Sequence, residues 1–398
     1  MRIGMMVDVY KPHISGITNY VSLNKRYLEQ AGHEVYIFTF GDLDHADDET
    51  RVVRSPGLPI VDTGYYLNFS HSRKVKALIQ SMDLMHVHHP FLSGRLALRY
   101  CRPVRIPVVF TNHTRYDLYA QTYLPLLPEG LSETFLQAYM PPFCAGVDLV
   151  ISPSAGMAGV LRSLGVNCPI EIVPNGVELI RFGQACYDCR AEFGFTTNDI
   201  LLVYSGRLAP EKNLGFLLHA FAGTTEAVDN LHLILLGSGP EEETLKIRAA
   251  EFGITQQVHF TGAIEYNDVP RYLAMCDLFV TASITEVHPL SVIEAMASGL
   301  PVVGVRSVGV GDTVEDGVTG FLSSNDQAAY AAKLTRLCIE KTLRKKMGTA
   351  ARKASEKYGI ERTIKIMLSH YEQLVSDAGL RKRGIRYRLR SLLEKYRQ

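Results

Sequence analysis

The stretch "NDILLVYSG" at residues 198–206 is an apolar run of strand length that ends in a glycine, near the middle of a chain of 398 residues. Similar runs follow at 230–239, 276–283 and 300–305, with helical patterns such as that of residues 213–225 between them. Apolar runs that alternate with helices are typical of a parallel sheet covered on both faces. The second half of the chain is therefore predicted to form a doubly wound α/β domain.

The first half of the chain has the same pattern. Its predicted strands are "RIGMMVD" (2–8), "EVYIFTF" (34–40), "DLMHVHH" (83–89), "IPVVFTNH" (106–113) and "VDLVISPS" (147–154). The sequence thus predicts an α/β fold of two doubly wound, Rossmann-like domains in series. Because turn signals cluster within 172–200, we place the domains at 1–180 and 181–360, followed by a C-terminal crossover and helix at 361–398.

Composition argues against several classes of protein. The formal net charge is +1, so there is no overall field to attract nucleic acid. No run approaches the roughly 18 apolar residues of a membrane-spanning helix. The seven cysteines are odd in number and scattered, which is typical of a reducing compartment, and the lone C-x-x-C at 186–189 lacks a second pair for zinc. These features predict a cytoplasmic protein.

Residues 380–398 differ from the rest of the chain. They contain many Lys and Arg residues and a single acid, Glu394. Their apolar residues from Ile385 to Tyr396 recur at helical spacing on one face. A basic amphipathic helix is typical of a segment that binds an anionic membrane surface. A crossover helix that packs its apolar face on the first domain would have the same stripe, so both interpretations stay open.

Polar residues that directly follow strands are candidates for a site, because ligands of doubly wound domains bind at the carboxyl ends of the strands. In the first half these are Asp8, Gly16 before a predicted helix, and His113. Gly16 would allow a ligand to approach a helix N-terminus, and His113 could hydrogen-bond a substrate hydroxyl or relay charge. The alternatives are an ordinary strand–helix turn and a loop histidine. The pair at 88–89, His-His, is expected to be structural or to line a pocket.

Two cations follow the strand at 198–206. Arg207 and Lys212 lie five positions apart across a strand-to-helix turn, where a planar guanidinium and an ammonium could bind phosphate oxygens. The alternative for Lys212 is a solvated ion pair with Glu211. The turn "GSGP" at 237–240 follows the next strand, but it is neither a dinucleotide-binding fingerprint nor a P-loop.

Two glutamates follow a later strand, in "TEVHPLSVIEAMASG" at 285–299. Pro289 is tolerated in the first turn of a helix and disfavoured in its interior, so a helix is predicted to begin near Pro289–Ser291. Glu286 then lies in the preceding loop and Glu294 in the helix. The alternative for Glu294 is a capping box with Ser291, in which its side chain reaches back to the helix start.

An acidic loop at 41–49 contains a D-x-D sequence, Asp42 and Asp44. Such a sequence binds metal and nucleotide in some sugar transferases. Because it is isolated from the phosphate-binding candidates, we interpret it as a solvated loop.

Four segments together resemble the motifs of the retaining glycosyltransferases of family 4 (GT4): "SGRLAPEKN" (205–213), "IVPNGVE" (172–178), "TNHT" (111–114) and "TEVHPLSVIEAMASGLPVVG" (285–304). The last contains the two glutamates that the family spaces by seven residues, followed by its E-A-M-A-x-G-x-P-V signature. The resemblance covers nearly the whole chain. It implies the GT-B fold, in which two Rossmann-like domains face each other across a cleft.

The resemblance also implies roles for individual residues. Arg207 and Lys212 would hold the diphosphate of a nucleotide sugar, Glu286 would contact the donor sugar, and His113 would lie near sugar and acceptor. These four are the predicted catalytic residues. Further donor-binding positions are Gly16, His288, Leu290, Ser291 and Glu294, of which Glu294 would bind the ribose, and the acceptor side would include Asp8 and Tyr116.

The chain departs from the family pattern at Glu286-Val-His-Pro-Leu290, where many members have Glu-Gly-Phe-Gly-Leu. Pro289 has no N–H, so one backbone donor to the diphosphate is lost there. A protonated His288 could replace part of it, or His288 could contact the sugar. The chain also has Ser15-Gly16-Ile17 where many members have two glycines.

The function that the resemblance implies is transfer of a hexose, with retention, from a UDP- or GDP-sugar to an acceptor hydroxyl. The nucleotide sugar is a co-substrate, and no metal or other cofactor is expected. The basic C-terminus favours a membrane glycerolipid as acceptor and a cytoplasmic protein at the inner face of the membrane. The alternatives are a soluble or polysaccharide acceptor and a nucleotide-sugar-binding regulator without turnover.

Overall fold

The computed structural model describes residues 1–13, 15–41, 43–60, 65–118, 130–183 and 190–395, with residues 381–395 as backbone only. The described residues divide into two compact units. The first unit draws on Met1–His113, Glu133–Pro174 and the chain from Glu361 onward. The second draws on Thr114–Ser132 and Asn175–Ile360.

A seven-stranded parallel sheet forms the centre of the first unit, in the order β3-β2-β1-β6-β7-β8-β9. Its strands are β1 (Arg2–Met6), β2 (Glu34–Phe40), β3 (Val52–Ser55), β6 (Leu84–Val87), β7 (Val108–Thr111), β8 (Leu149–Ser152) and β9 (Ile170–Ile172). The short strands β4 (Leu58–Pro59) and β5 (Tyr66–Leu67) form a separate antiparallel pair. The accompanying helices are α1 (Gly16–Gln30), α2 (Arg73–Ile79), α3 (Leu92–Cys101), α4 (Leu131–Gly146), α5 (Ala155–Ser163) and α14 (Ile360–Lys395).

The second unit is built on a six-stranded parallel sheet in the order β12-β11-β10-β13-β14-β15. Its strands are β10 (Ile200–Ser205), β11 (Leu231–Leu236), β12 (Val258–Phe260), β13 (Leu278–Thr281), β14 (Val302–Val305) and β15 (Gly320–Ser323). Its helices are α6 (Leu179–Gly183), α7 (Leu214–Thr225), α8 (Glu242–Glu251), α9 (Val269–Met275), α10 (Leu290–Ala297), α11 (Val308–Thr313), α12 (Gln327–Ile339) and α13 (Lys341–Ser355). Single 3₁₀ turns at Ala191–Phe193, Pro210–Lys212 and Glu356–Tyr358 connect them.

Strand β10 shows how the apolar run at 198–206 is used. Leu202 and Tyr204 pack into one buried cluster, while Leu201 and Val203 pack into another. Successive side chains of a strand point to opposite faces, so both faces of the sheet are covered. The predicted α/β fold with two doubly wound halves is confirmed.

The strand orders identify the places in each unit where a ligand site is expected. In the first unit the order reverses between β1 and β6, and in the second it reverses between β10 and β13. Doubly wound sheets bind ligands beyond the carboxyl ends of the strands at such a switch point. Ligand-binding side chains are therefore expected after β1, β6 and β7 in the first unit and after β10 and β13 in the second.

The C-terminal helix α14 belongs to the first unit. Ile364, Met367 and Tyr371 are buried, and their spacing of three and four residues places them on one helix face. The chain thus leaves the first unit after Pro174 and returns to it after Ile360, compared with predicted boundaries after 180 and 360. The side chains of 381–398, on which the membrane interpretation depends, lie outside the described residues.

Among the described residues, no helix combines the length and the apolar character that crossing a membrane would require. The C-x-x-C cysteines at 186 and 189 lie outside the described part of the chain.

Candidate functional site

The residues after β10 and β13 come together in the second unit. Lys212 lies in the 3₁₀ turn after β10, and Glu286 lies in the loop after β13. The Nζ atom of Lys212 is 2.7 Å from Oε1 of Glu286, and the two side chains are 17% and 21% exposed. The structure therefore joins the predicted diphosphate-binding lysine and the predicted sugar-contacting glutamate in one ion pair at the switch point.

Glu211 does not form a solvated face beside Lys212. It is buried, and its backbone carbonyl accepts hydrogen bonds from the hydroxyls of Ser283 and Thr285. These bonds tie the turn that carries Lys212 to the start of the loop that carries Glu286. The two segments that carry Lys212 and Glu286 are thereby joined by hydrogen bonds as well as by the ion pair itself.

Arg207 is exposed at the end of the glycine turn that follows β10. Its carbonyl accepts a hydrogen bond from the hydroxyl of Tyr204. Gly206 has a φ of +154°, and a Cβ at Gly237 would lie 2.1 Å from the carbonyl oxygen of Gly206. The glycine turns after β10 and β11 therefore pack backbone against backbone, which presents the Arg207 guanidinium to the outside.

Helix α10 begins at Leu290 as predicted, with Pro289 as its N-cap residue. No side chain caps this helix start, so the N–H groups of its first turn have no side-chain partner at the cap position. The alternative of a capping box is therefore wrong. Ser291 is already inside the helix, and Oε1 of Glu294 accepts a hydrogen bond of 2.8 Å from the hydroxyl of Tyr266 instead.

The electrostatics of Glu294 follow from its position on a helix face that is otherwise apolar. Burial raises the pKa of its carboxyl to about 7, while the Tyr266 hydrogen bond and the charge of Arg181 act in the opposite direction. Arg181 also lies over the Tyr266 ring, 5.1 Å from its centroid, and forms an ion pair with Glu178. Glu294 is thus a buried acid whose charged form is disfavoured by burial and partly restored by Tyr266 and Arg181.

His288 is buried and makes contacts within the protein. Its Nδ1 atom accepts a hydrogen bond from the backbone N–H of Asn175, and its carbonyl accepts one from the Asn175 side chain. Its ring packs edge-on against Tyr358, 4.9 Å between centroids. Burial, and then the charge of Lys357, lower the pKa of His288 to about 3. The interpretation of His288 as a protonated partner of the diphosphate is therefore wrong.

The backbone of the loop after β13 is held by a second short helix. The N–H of Gly309 in α11 donates to the carbonyl of Glu286 at 3.0 Å. A Cβ at Gly309 would lie 2.5 Å from that same oxygen, so only glycine allows this approach. Val287 and Pro289 are buried on either side of His288. The segment in which the chain departs from the GT4 motif that it resembles is therefore a packed loop.

In the first unit, Asp8 follows β1 and is buried. Its Oδ1 atom accepts hydrogen bonds from the backbone N–H, at 2.7 Å, and the hydroxyl of Ser93 near the start of α3. Its own N–H donates to Nδ1 of His89. One oxygen of the carboxylate predicted to line the acceptor side thus binds the start of a helix.

Gly16 is the first residue of α1, and Ser15 caps that helix through the N–H of Thr18. A Cβ at Gly16 would have no neighbour within 4 Å, so the protein itself does not require a glycine there. Tyr116 falls in the second unit, whereas His113 falls in the first.

His113 follows β7 and is part of a cluster of histidines. Its Nε2 atom lies 3.1 Å from Nδ1 of His88, which follows β6. The His86 ring lies 4.2 Å from that of His88, and its two nitrogens contact the hydroxyls of Tyr371 and Thr111. Burial lowers the pKa of His88 and His113 well below the ordinary value, with the neighbouring histidines contributing. His113 is therefore a neutral hydrogen-bonding group.

The acidic loop at 41–49 is less solvated than expected. Asp47 forms an ion pair with Arg54, and Lys11 forms ion pairs with Asp48 and Glu49. Asp42 lies outside the described residues, and Asp44 is exposed. Within the described part of the chain, no group of three His, Cys, Asp or Glu side chains is arranged to hold a metal.

Several partners of these residues had no signal in the sequence. Tyr266 lies 28 positions from Glu294, and Asn175 lies 113 positions from His288. Tyr371 lies 285 positions from His86. The repeated histidines of "HVHH" at 86–89 were the one visible indication of the cluster around His113.

Two family profiles match the chain. The profile described as "Glycosyltransferase Family 4" matches residues 14–181, and the profile described as "Glycosyl transferases group 1" matches residues 188–354. The two matches lie end to end and together cover most of both units.

Two of the curated relatives have names that refer to a glycolipid. The alpha-monoglucosyldiacylglycerol synthase of Streptococcus pneumoniae is 29% identical over 350 residues, covering 85% of this chain and 78% of the relative. The enzyme of the same name from Acholeplasma laidlawii is 28% identical over 343 residues, covering 82% and 86%.

Solved structures share the fold at lower identity. HepE of Anabaena, in complex with UDP and glucose, has a TM-score of 0.76 at 20% identity, covering 94% of this chain and 100% of that chain. Sucrose-phosphate synthase from Thermosynechococcus elongatus has a TM-score of 0.79 at 22% identity, covering 94% and 99%. These similarities establish the fold and carry no more than that.

Proposed function

The chain belongs to the GT4 glycosyltransferases and has the GT-B fold, and from this we propose that it transfers a hexose from a UDP- or GDP-sugar to an acceptor hydroxyl with retention of configuration. The proposed acceptor is a membrane glycerolipid. The observation that supports the proposed transfer reaction most strongly is the ion pair between Lys212 and Glu286 at the switch point of the second unit.

The proposed donor site combines three sources of positive potential. These are the Lys212 ammonium, the exposed Arg207 guanidinium and the start of α10, which has no side-chain cap. Breaking the bond between sugar and phosphate leaves an oxocarbenium-like sugar and a diphosphate that gains charge. Fixed positive groups at the diphosphate stabilise that transition state more than the ground state.

Glu286 and Glu294 take different parts of the same donor in this proposal. Glu294, one turn into α10, would accept hydrogen bonds from the ribose hydroxyls, and Tyr266 holds its carboxylate by a hydrogen bond. Glu286 would contact the hexose. When a diphosphate binds Lys212, it competes with Glu286 for the ammonium and leaves the Glu286 carboxylate for the sugar.

Retention is explained by attack of the acceptor on the same face from which the diphosphate departs. In that reaction the leaving phosphate oxygen takes the proton of the acceptor hydroxyl, so no side-chain nucleophile is needed. We infer that the cations and helix N-terminus replace a metal ion at the diphosphate. His113, as a neutral group in the first unit, would hydrogen-bond the sugar or the acceptor.

The choice of a lipid acceptor rests on two kinds of support. The two relatives from S. pneumoniae and A. laidlawii are named for a glucosyldiacylglycerol product. The first unit also exposes large apolar side chains on and beside the β4–β5 pair, with Leu58 74% and Phe69 71% exposed. Arg73 and Lys74 at the start of α2 are exposed within five residues of Phe69. Apolar side chains beside cations favour an anionic membrane surface, and we propose a peripheral location at its cytoplasmic face.

The donor sugar and nucleotide are the least constrained part of the proposal. Relatives named GDP-mannose-dependent alpha-mannosyltransferase, such as that of Corynebacterium glutamicum at 26% identity, also match the chain. A soluble or polysaccharide acceptor is the second candidate for this chemistry, because the D-inositol 3-phosphate glycosyltransferase of Salinispora arenicola, which is named for a water-soluble molecule, is 28% identical. A regulator without turnover would not need the ion pair of Lys212 and Glu286.

The test is a panel of UDP- and GDP-hexoses with diacylglycerol vesicles and water-soluble acceptors, read by mass spectrometry with product stereochemistry from NMR. We expect an α-linked hexosyl lipid from one donor class, unaffected by EDTA. Glu286→Gln and Lys212→Ala should each lower the rate of transfer by about two or more orders of magnitude, while the midpoint of thermal unfolding stays unchanged. Wild-type turnover in either variant would overturn these roles, and complete loss with EDTA would overturn metal independence.

A further inference from the structure

The contact between His88 and His113 lies at the carboxyl ends of two neighbouring strands of the first unit. Nδ1 of His88 and Nε2 of His113 are 3.1 Å apart. Tyr20 packs against both rings, with centroids 5.7 Å from His88 and 4.5 Å from His113. One nitrogen of His113 is therefore engaged inside the protein, and its Nδ1 is the atom left for a ligand.

His88 is itself fixed from behind. It is fully buried, and the His86 ring lies 4.2 Å away between centroids. Tyr371 contacts Nδ1 of His86 at 2.5 Å, and Thr111 contacts Nε2 at 2.7 Å. Because both nitrogens of His86 have hydroxyl partners, the His86 ring cannot rotate without losing hydrogen bonds, and His88 packs against that ring.

The position of the shared proton follows from the other nitrogen of His88. Both imidazoles are neutral, so each carries one proton, and one ring must donate to the other. Nε2 of His88 is buried and has no hydrogen-bond partner among the described residues. A buried N–H without an acceptor is less common than a buried acceptor without a donor. Nε2 of His88 is thus the unprotonated atom, and its Nδ1–H donates to His113.

We propose that His88 is a positioning residue that holds His113 in the tautomer with its proton on Nδ1. His113 then presents an N–H donor to an oxygen of the sugar or acceptor, and it does not act as a base that removes the acceptor proton. The part of this inference that concerns substrate rests on the proposed function; the tautomer does not.

The test of the tautomer is long-range ¹H–¹⁵N correlation NMR of the full chain labelled at histidine, with His113→Gln used to identify the His113 signals. We expect a single neutral tautomer with the proton on Nδ1. His88→Asn keeps a side-chain donor near the same place and should preserve that pattern. His88→Phe removes it and should give a mixture or the Nε2–H form. A His113 that carries its proton on Nε2 in the wild-type chain, or that is unchanged in His88→Phe, overturns the proposal.

The test of function separates kcat from KM. His88→Phe should lower kcat by roughly three- to tenfold, the effect of one hydrogen bond, with little change in donor KM. His88→Asn should recover most of that loss. His71→Asn is the control, since His71 is another buried histidine of this unit whose Nδ1 contacts Ser55 outside the cluster. It should leave both the tautomer and kcat unchanged.

The two levels of the inference fail differently. If His113→Gln retains wild-type transfer, the proposed role of His113 in the reaction is wrong, whatever the NMR shows. If the tautomer is as expected but His88→Phe and His71→Asn lower kcat equally, His88 acts through stability alone and is not a positioning residue.

Discussion

Glu294 illustrates how folding and function can oppose each other at a single side chain. Its neighbours in α10, including Val292, Ile293 and Met296, are buried apolar residues of the core. Burial among these residues disfavours the charged form of the Glu294 carboxyl and raises its pKa to about 7. Tyr266 and Arg181 offset part of that penalty. A buried acid retained in this position is typical of a binding site.

Glu294→Gln is therefore expected to stabilise the protein at alkaline pH while it weakens donor binding. Because the pKa in the folded state exceeds the ordinary value of 4.5, the folded protein holds the proton more tightly than the unfolded chain. Stability is lost as pH rises from about 4.5 through 7. Removing the acid should thus add about 2 kcal/mol more at pH 8 than at pH 5.

Chemical unfolding of wild type and variant at pH 5 and pH 8 measures this difference. Glu226→Gln, which changes an exposed carboxyl of the same unit, is the matched control and should show no such pH dependence. Equal effects of Glu294→Gln at the two pH values would contradict the buried-acid interpretation.

The residue scale is also where prediction from sequence reached its limit. Pro289 separates the loop glutamate from the helix glutamate, because proline restricts where a helix can begin, and that inference needed only local sequence. The Ser291–Glu294 capping box was equally local and was wrong. A hydroxyl 28 positions away, Tyr266, competes for the same carboxylate, and no local pattern could reveal it.

At the scale of elements, the short helix α11 determines the position of the loop that carries Glu286. Its residues Val308–Thr313 follow β14, the strand next to β13. The Ser307 hydroxyl donates to the Ser283 carbonyl, and Gly309 N–H donates to the Glu286 carbonyl. The loop after β13 is thus held at two of its backbone carbonyls, those of Ser283 and Glu286.

Gly309→Ala is expected to displace Glu286 and lower transfer. The added Cβ would lie 2.5 Å from the Glu286 carbonyl oxygen and 2.6 Å from the Val287 carbonyl carbon, and backbone atoms cannot move aside as a flexible side chain can. We expect a loss of about 1–3 kcal/mol in stability, as in other overpacked sites, and a larger fall in kcat/KM.

Gly311→Ala in the same helix is the control for Gly309→Ala. A Cβ at Gly311 has no neighbour within 4 Å, so alanine there should be neutral or slightly stabilising. Thermal unfolding and steady-state kinetics of both variants measure the difference. Equal kinetics for the two variants would show that α11 does not position Glu286.

The elements themselves were largely predictable, since apolar runs and helical periodicity specify strands and helices locally. The alternation of Leu201, Leu202, Val203 and Tyr204 between two cores is the direct result of such a run. The assignment of Thr114–Leu118 to the second unit was not predictable. It depends on tertiary packing, because the segment continues directly from a strand of the first unit.

At the scale of the whole molecule, the C-terminal helix has two parts that the sequence distinguishes by composition. Up to residue 380 it belongs to the first unit by packing, through Ile364, Met367 and Tyr371. Beyond it, eight Lys and Arg residues and one acid occupy residues 381–398. The first part holds the His86 ring through Tyr371, so it is needed for folding, and these described packing contacts all precede residue 381.

Deletion of residues 381–398 is therefore expected to leave the fold intact and weaken binding to anionic vesicles. Each cation near an anionic surface contributes about 1 kcal/mol at low salt, so loss of the tail should lower flotation by at least tenfold. The exposed apolar side chains of Leu58 and Phe69 belong to the proposed membrane contact independently of the tail, and changing both to serine should reduce the remaining binding. Flotation with neutral and with phosphatidylglycerol-containing vesicles, in 0.05 and 0.5 M salt, separates the charged contribution from the apolar one.

A full chain that stays unbound to anionic vesicles would contradict the membrane location and favour a water-soluble acceptor. Binding that survives deletion and is lost in the serine variant would instead place the membrane contact on the first unit alone.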